Sequence, residues 1–131
     1  MKEKILFVNA CVRGEKESRT IALAKAALNR LDGDIEEICL TEANQKPLDA
    51  AGLAKRIESA EKNDFSDPVY DCAKQFAACD TVVVAAPFWD YSFPSILKIY
   101  IESLCVGGLT FLYGSDGVPI SYCRAKKLIY I

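Results

Sequence analysis

The chain has 131 residues, 51% of them hydrophobic and 26% charged, which is enough apolar material for one packed domain and excludes large-scale disorder. A net charge of -2 with no basic stripe argues against a nucleic-acid partner, and the absence of histidine removes Ser-His and Cys-His nucleophile pairs along with most catalytic zinc sites. No apolar run reaches the roughly 18 residues that cross a bilayer, and the six cysteines, without a leader segment or C-x-x-C spacing, read as reduced thiols of a cytoplasmic protein that holds no metal.

Ile5-Leu6-Phe7-Val8 is a short continuous apolar run, the pattern of a strand covered on both faces. A polar loop from Asn9 to Glu17 follows, and Ser18 is placed to cap a helix whose apolar face recurs at Ile21, Ala24, Leu28 and Leu31. Asp32-Gly33-Asp34 closes that helix, and Ile35 to Leu40 reads as a second strand whose Glu36 and Glu37 suit an edge. Residues 41 to 48 form a loop, and Asp49 to Lys62 is a surface helix with little periodicity, broken after Asn63. Pro68 suits a first helical position, ahead of a stripe at Val69, Cys72, Ala73 and Phe76. Thr81 to Ala86 is the most strand-like, fully buried run. Ser95 to Cys105 reads as a helix with Ile96, Ile99, Tyr100 and Ser103 on one side. The Asp116-Gly117 pair between Thr110–Tyr113 and Ile120–Cys123 predicts a hairpin, and Lys127 to Ile131 a last strand. Strands that alternate with helices imply parallel pairing in a doubly wound α/β sheet.

In such a sheet ligands bind beyond the carboxyl ends of the strands, which singles out two loops. The first runs from Asn9 through Cys11 and Arg13 to Ser18, Arg19 and Thr20, where a helix N-terminus offers free N–H groups, hydroxyls and arginines to a phosphate. It lacks both the G-x-G-x-x-G and the Walker patterns, so a phosphate monoester suits it better than a dinucleotide or a triphosphate; equally, Ser18 can act as a cap alone. The second loop, Pro87-Phe88-Trp89-Asp90-Tyr91-Ser92-Phe93-Pro94, carries four aromatics between two prolines. Those rings either cover the sheet end or an interface, or form a bed for a flat heteroaromatic cofactor.

The Asn9-Ala10-Cys11-Val12-Arg13 and Ser18-Arg19-Thr20 segments, followed by Ala86-Pro87-Phe88-Trp89-Asp90, Pro94, Leu97-Lys98, Gly108 to Tyr113 and Lys126-Lys127, resemble the flavodoxin-like family of NAD(P)H:quinone oxidoreductases, FMN-dependent azoreductases and NADPH-dependent FMN reductase-like proteins. The resemblance covers nearly the whole chain. It implies a flavodoxin-like, three-layer α/β/α fold with parallel strand order 2-1-3-4. It also implies FMN, with its phosphate at Ser18, Arg19 and Thr20, its ring along Pro87, Phe88, Trp89, Asp90 and Tyr91, and Cys11 and Arg13 among the residues that bind it. The implied activity is a ping-pong hydride relay from NADH or NADPH to a flat quinone, azo or nitro acceptor, in a homodimer whose partner is approached by the hairpin between Phe111 and Ile120; no residue is assigned as a general acid or base.

The family usually carries a serine near Cys11 and Met-Tyr-Asn at the positions of Phe88, Trp89 and Asp90. A backbone contact at Asp90 tolerates that change, whereas a side-chain contact would place a carboxylate against reduced flavin and lower its potential. Similar members continue beyond the last strand into a glycine-containing flavin loop, a further strand and a helix. Residues 1–131 are therefore expected to form one flavodoxin-like domain, truncated at its C-terminal end, with the fifth strand missing and FMN held more weakly than in longer members. A flavodoxin-type electron carrier and a non-catalytic remnant stay open as alternatives.

Overall fold

The computed structural model describes residues 2–131. In chain order the elements are β1 (Glu3–Asn9), α1 (Arg19–Leu28), β2 (Gly33–Cys39), α2 (Ala50–Lys62), a 3-10 turn (Pro68–Tyr70), α3 (Asp71–Ala78), β3 (Thr81–Ala85), α4 (Ser95–Leu104), the strands β4 (Phe111–Tyr113) and β5 (Pro119–Ser121), and β6 (Lys127–Tyr130). Four strands form one parallel sheet in the order β2-β1-β3-β6, and β4 pairs antiparallel with β5 in a separate hairpin. Because β6 is the fourth strand of the parallel sheet, this is the expected 2-1-3-4 order, and the fold is flavodoxin-like.

Side chains alternate across a strand, so the apolar runs of β1 and β3 feed two layers at once. Leu6, Val8, Val82 and Val84 point to the face covered by α4, where Leu97, Tyr100 and Leu104 meet them with Cys79 and Leu40. Ile5, Phe7, Val83 and Ala85 point the other way, onto Ile21, Ala24 and Leu28 of α1. Every residue of β3 is buried. Each valine there contributes about 1.5–3 kcal/mol relative to leaving it in water, which makes β3 the spine of both layers. β2 lies at the sheet edge, with Glu36 and Glu37 exposed as their charge requires. Next to it Gly33 lies so close to β1 that a Cβ would stand 2.5 Å from the Glu3 carbonyl oxygen.

Two helix faces differ from the periodicity reading. Ahead of α3, Val69 is exposed and Tyr70 is buried, its hydroxyl donating to Ser59 Oγ of α2 at 2.8 Å. The cause is the 3-10 turn at Pro68–Tyr70. At three residues per turn it advances about 120° per residue instead of 100°, so an α-helical count begun at Pro68 picks the wrong neighbour. In α4 the buried residues are Leu97, Tyr100 and Leu104, with Ile96 partly buried beside them. Ser103 is tolerated near that face because its hydroxyl donates back to the Tyr100 carbonyl at 2.6 Å. The helix then ends against buried Thr110, whose hydroxyl donates to Leu104 O at 2.5 Å and accepts from the Val106 N–H at 3.2 Å, closing groups that a helix end leaves open.

Candidate functional site

The site is built where β1 and β3 end side by side. Asn9 is in register with Ala85, and past that point the Ala10 N–H still donates to Ala85 O at 2.8 Å. The loops leaving these two strands therefore start one strand spacing apart, about 4.8 Å. Cys11 reinforces the join: its buried thiol lies 3.7 Å from the same Ala85 oxygen, and burial raises its pKa against an opposing hydrogen bond from Ser18. A thiol so placed stays protonated near neutrality and acts in packing. Asn9 holds the loop's entry, accepting the Cys11 N–H on Oδ1 at 3.0 Å and donating from Nδ2 to Glu37 of β2 at 3.0 Å.

From there the first loop turns at Gly14, whose carbonyl accepts the N–H groups of Glu17 and Ser18, and enters α1 at Ser18. The Ser18 Oγ accepts the Ile21 N–H at 3.1 Å, the standard N-cap bond. That leaves the backbone N–H groups of Arg19 and Thr20 without acceptors among the described residues, as the first turn of any helix must. No carboxylate stands in the first turn of α1, so the positive end of the helix dipole is not neutralised from within. Arg13 and Arg19 are exposed, Ser18 and Thr20 half-buried. A cavity of about 470 Å³ lies against this loop, its wall including Cys11, Arg13, Glu15, Ile21, Glu37 and Glu42.

The aromatic loop has a definite shape that the sequence reading did not anticipate. Trp89 and Ser92 exchange both backbone hydrogen bonds, at 2.9 and 2.7 Å, and the two residues between them, Asp90 and Tyr91, have φ of +49° and +62°. Two successive left-handed residues closed by reciprocal bonds make a type I′ turn, the tight hairpin turn that Asn-Gly pairs usually supply. The turn lifts its rings out of the fold: Phe88 is 76% exposed, Trp89 40% and Tyr91 95%. Phe88 and Tyr91 meet edge to face with centroids 6.2 Å apart. Trp89 and Ser92 use their amides within the turn, whereas the N–H groups of Phe88, Asp90 and Tyr91 meet no acceptor among the described residues. Pro94 is buried at the start of α4 and anchors the far end.

Of the ten residues singled out by sequence, Cys11, Arg13 and Ser18 thus stand on the first loop, Arg19 and Thr20 in the first turn of α1 that follows it, and the other five on the adjoining aromatic loop. Asn9 and Ser92 were not among them. Asn9 could have been found as a polar residue closing an apolar run; nothing in the bare sequence marks Ser92 as the fourth residue of a turn.

The model of the family described as having a flavodoxin-like fold matches residues 3–131. The chain is 36% identical over 143 residues to the FMN-dependent NADH:quinone oxidoreductase 2 of Clostridium acetobutylicum, covering 98% of this chain and 66% of that protein. It is 32% identical over 133 residues to the FMN-dependent NADH:quinone oxidoreductase of Clostridium perfringens, covering 98% and 67%. Among solved structures it is similar to the FMN-dependent NADH-azoreductase from Bacillus anthracis in complex with FMN, with a TM-score of 0.74 at 21% identity over 98% of this chain and 68% of that one. The NAD(P)H:quinone oxidoreductase from Methanothermobacter marburgensis superposes with a TM-score of 0.77 at 15% identity over 99% and 66%. At such identities the superpositions speak for the fold, and the chain spans about two thirds of the length of these relatives. With the strand order, the two loops at the carboxyl ends and a family model matched from Glu3 to Ile131, this chain belongs to the family of proteins with the flavodoxin-like fold.

Proposed function

We propose that the chain binds FMN and serves as an NAD(P)H-dependent oxidoreductase for flat quinone, azo or nitro acceptors. The observation that carries this reading is that two loops leave neighbouring strand ends, one leading to an anion-ready helix N-terminus and the other into a turn that raises three aromatic rings into solvent. Relatives that are named FMN-dependent NADH:quinone oxidoreductases support it. The donor set suits a phosphate monoester: two helix N–H groups, the hydroxyls of Ser18 and Thr20, and the side chains of Arg13 and Arg19. Bound FMN would supply the two-electron chemistry, taking hydride from the nicotinamide and giving it to the acceptor.

The chain's own residues position and tune. Ser18, Arg19, Thr20 and Arg13 fix the phosphate, with Cys11 holding the loop in place beneath it. Pro87, Phe88, Trp89, Asp90 and Tyr91 flank the ring, and the free N–H groups of the turn face its polar edge. The left-handed backbone at Asp90 and Tyr91 keeps those amides fixed before the ligand arrives, so little ordering is needed on binding. The exposed apolar residues of the β4–β5 hairpin, among them Leu112, Tyr113, Val118 and Ile120, support a homodimer in which the hairpin meets a second copy. Six free cysteines fit a reducing cytoplasm. No helix among the described residues is long and apolar enough to cross a membrane.

The test is the visible spectrum of the protein with and without added FMN, followed by NADH and NADPH oxidation with a benzoquinone. Flavin bands shifted from those of free FMN, with sustained quinone reduction, are expected. Bound flavin that is reduced only by a separate reductase would identify an electron carrier. An unshifted spectrum at excess FMN would refute the proposal.

A further inference from the structure

Asp90 occupies the apex of the aromatic turn, and it is the only charged side chain between Ala86 and Leu97. It is exposed, and among the described residues its carboxylate neither pairs with a cation nor accepts a hydrogen bond; the six ion pairs of the fold all lie elsewhere. Three rings surround this unpartnered charge in sequence, two of them more than three-quarters exposed. The faces of aromatic rings attract cations and do not attract anions, and an adjacent carboxylate adds to that preference.

The other charges near the site do not reverse it. Arg13 and Arg19 belong to the first loop and, on the reading proposed above, are matched by the FMN phosphate. Glu15 pairs with Lys25, while Glu37 and Glu42 line the cavity beside that loop. Lys126 and Lys127 lie at the opposite end of the sheet, where Lys127 is in register with Thr81. Lys98, in the first turns of α4, is the one nearby cation by sequence, and it forms no ion pair with Asp90.

We infer that the aromatic turn is a selectivity element that favours flat, delocalised organic cations over flat anions, which makes cationic heteroaromatics the preferred acceptor class. The inference rests on the oxidoreductase reading for the word acceptor, and on the turn alone for the charge preference. With a single charge held about 7 Å from Asp90 in a water-like dielectric, reversing the ligand's sign changes affinity roughly five- to tenfold, and salt at about 0.5 M removes most of that difference.

Trp89 is the only tryptophan in the chain, so its fluorescence reports binding at this turn without background. The probes are N-methylphenazinium and anthraquinone-2-sulfonate, two three-ring molecules bearing one charge of opposite sign. In the FMN-free protein at low salt the cation is expected to quench Trp89 at a lower concentration than the anion. Asp90→Asn keeps a residue suited to a left-handed backbone and is expected to cut the cation-to-anion affinity ratio about five- to tenfold, as is high salt. A ratio unchanged in Asp90→Asn, or a tighter anion, overturns the inference.

In the FMN-loaded protein the same two compounds are then compared as acceptors. The ratio of their kcat/KM values should fall in Asp90→Asn by the same factor, a comparison from which differences in redox potential cancel. Quenching with the expected preference but no NADH-driven reduction would refute the oxidoreductase reading and leave the charge preference standing. Reduction with equal ratios in both proteins would do the reverse.

Discussion

Tyr91 is the residue at which backbone geometry and side-chain identity conflict most, and comparing two small replacements isolates that conflict. A left-handed conformation costs an L-residue about 1–2 kcal/mol relative to the right-handed one, and glycine avoids this cost. Tyr91 has φ of +62° and is 95% exposed, so nothing it buries compensates. Its edge-to-face contact with Phe88 at 6.2 Å is worth about 0.5 kcal/mol at such exposure. Tyr91→Ala and Tyr91→Gly both lose that contact, but only alanine retains the strain. Glycine's greater freedom in the unfolded chain returns about 0.5–1 kcal/mol of the advantage. Tyr91→Gly should therefore be more stable than Tyr91→Ala by about 0.5–1 kcal/mol, or roughly 2–4 °C in Tm for a chain of this size. This inverts the usual order of the two residues in helices and strands. Thermal and urea unfolding of both variants measure it. Equal stability, or a more stable alanine variant, would mean that the type I′ turn is not formed in solution, and the fixed amides and raised rings would fall with it.

Ser18→Ala should cost about 1 kcal/mol of stability through the lost cap on Ile21 and should weaken FMN as well, whereas Arg13→Gln should weaken FMN roughly tenfold and leave the urea midpoint unchanged; calorimetric titration beside urea melts separates the two. Gly33→Ala drives a Cβ to 2.5 Å from Glu3 O and 2.8 Å from Ile5 Cδ1, so a loss of more than about 2 kcal/mol is expected, against a change within about 0.5 kcal/mol for Gly107→Ala, whose Cβ meets nothing within 4 Å. Asp80 accepts the Lys4 N–H at 2.9 Å and the Arg124 guanidinium at 2.8 Å, and these hold its carboxyl below the ordinary range, the Lys4 bond first. A group with a depressed folded-state pKa stabilises fully above its unfolded value, about 3.9, and loses that contribution as pH falls through the lower folded value. The stability gap between the native chain and Asp80→Asn should thus be constant from pH 7 down to about 5 and close below about 4 in urea melts; a gap that persists at pH 2 would assign the effect to something other than charge.

Much of the architecture could be read from residues whose local preference and tertiary fate agree. Ser18 is a good cap and caps; Ile5 to Val8 and Val82 to Ala85 are apolar throughout and are buried on both faces; Glu36 and Glu37 avoid burial and lie on an edge strand. Asp116-Gly117 asks for a turn and obtains one, with Gly117 at φ of +78°. Sequence reading failed where the two disagree. Pro68 marks a helix start correctly but begins a 3-10 turn, and that changes which of Val69 and Tyr70 faces inward. In α4, Ile96, Leu97, Ile99, Tyr100 and Ile101 supply apolar groups on nearly every side, so periodicity alone does not choose the buried face; packing against Val82 and Val84 does. The type I′ turn is the extreme case, since Asp tolerates a left-handed backbone and Tyr resists it. The propensity of Tyr91 argues against the conformation that Trp89 and Ser92 hold closed.

That last mismatch bears on how the site is assembled. Among the described residues no hydrogen bond joins the tips of the two loops; they are brought together at their roots by groups that bond to consecutive positions of one strand end. Ala10 N–H and the Cys11 thiol both meet Ala85 O, and the next amide, of Ala86, donates to Ile131 O at 2.9 Å. Ala85 and Ala86 thus couple the phosphate-side loop, the aromatic turn and the end of β6, and both are buried residues too small to adjust. Enlarging Ala85 to valine would push into the buried cluster it shares with Cys11 on one face of the sheet, and overpacking of this kind costs about 1–3 kcal/mol. The displacement would reach the aromatic turn through the three residues between Ala85 and Trp89, before any side chain of the turn is touched. A strained turn is kept in place by the rigidity of what it is rooted in, so the β3 end, far from the rings themselves, is where this site is most sensitive to substitution.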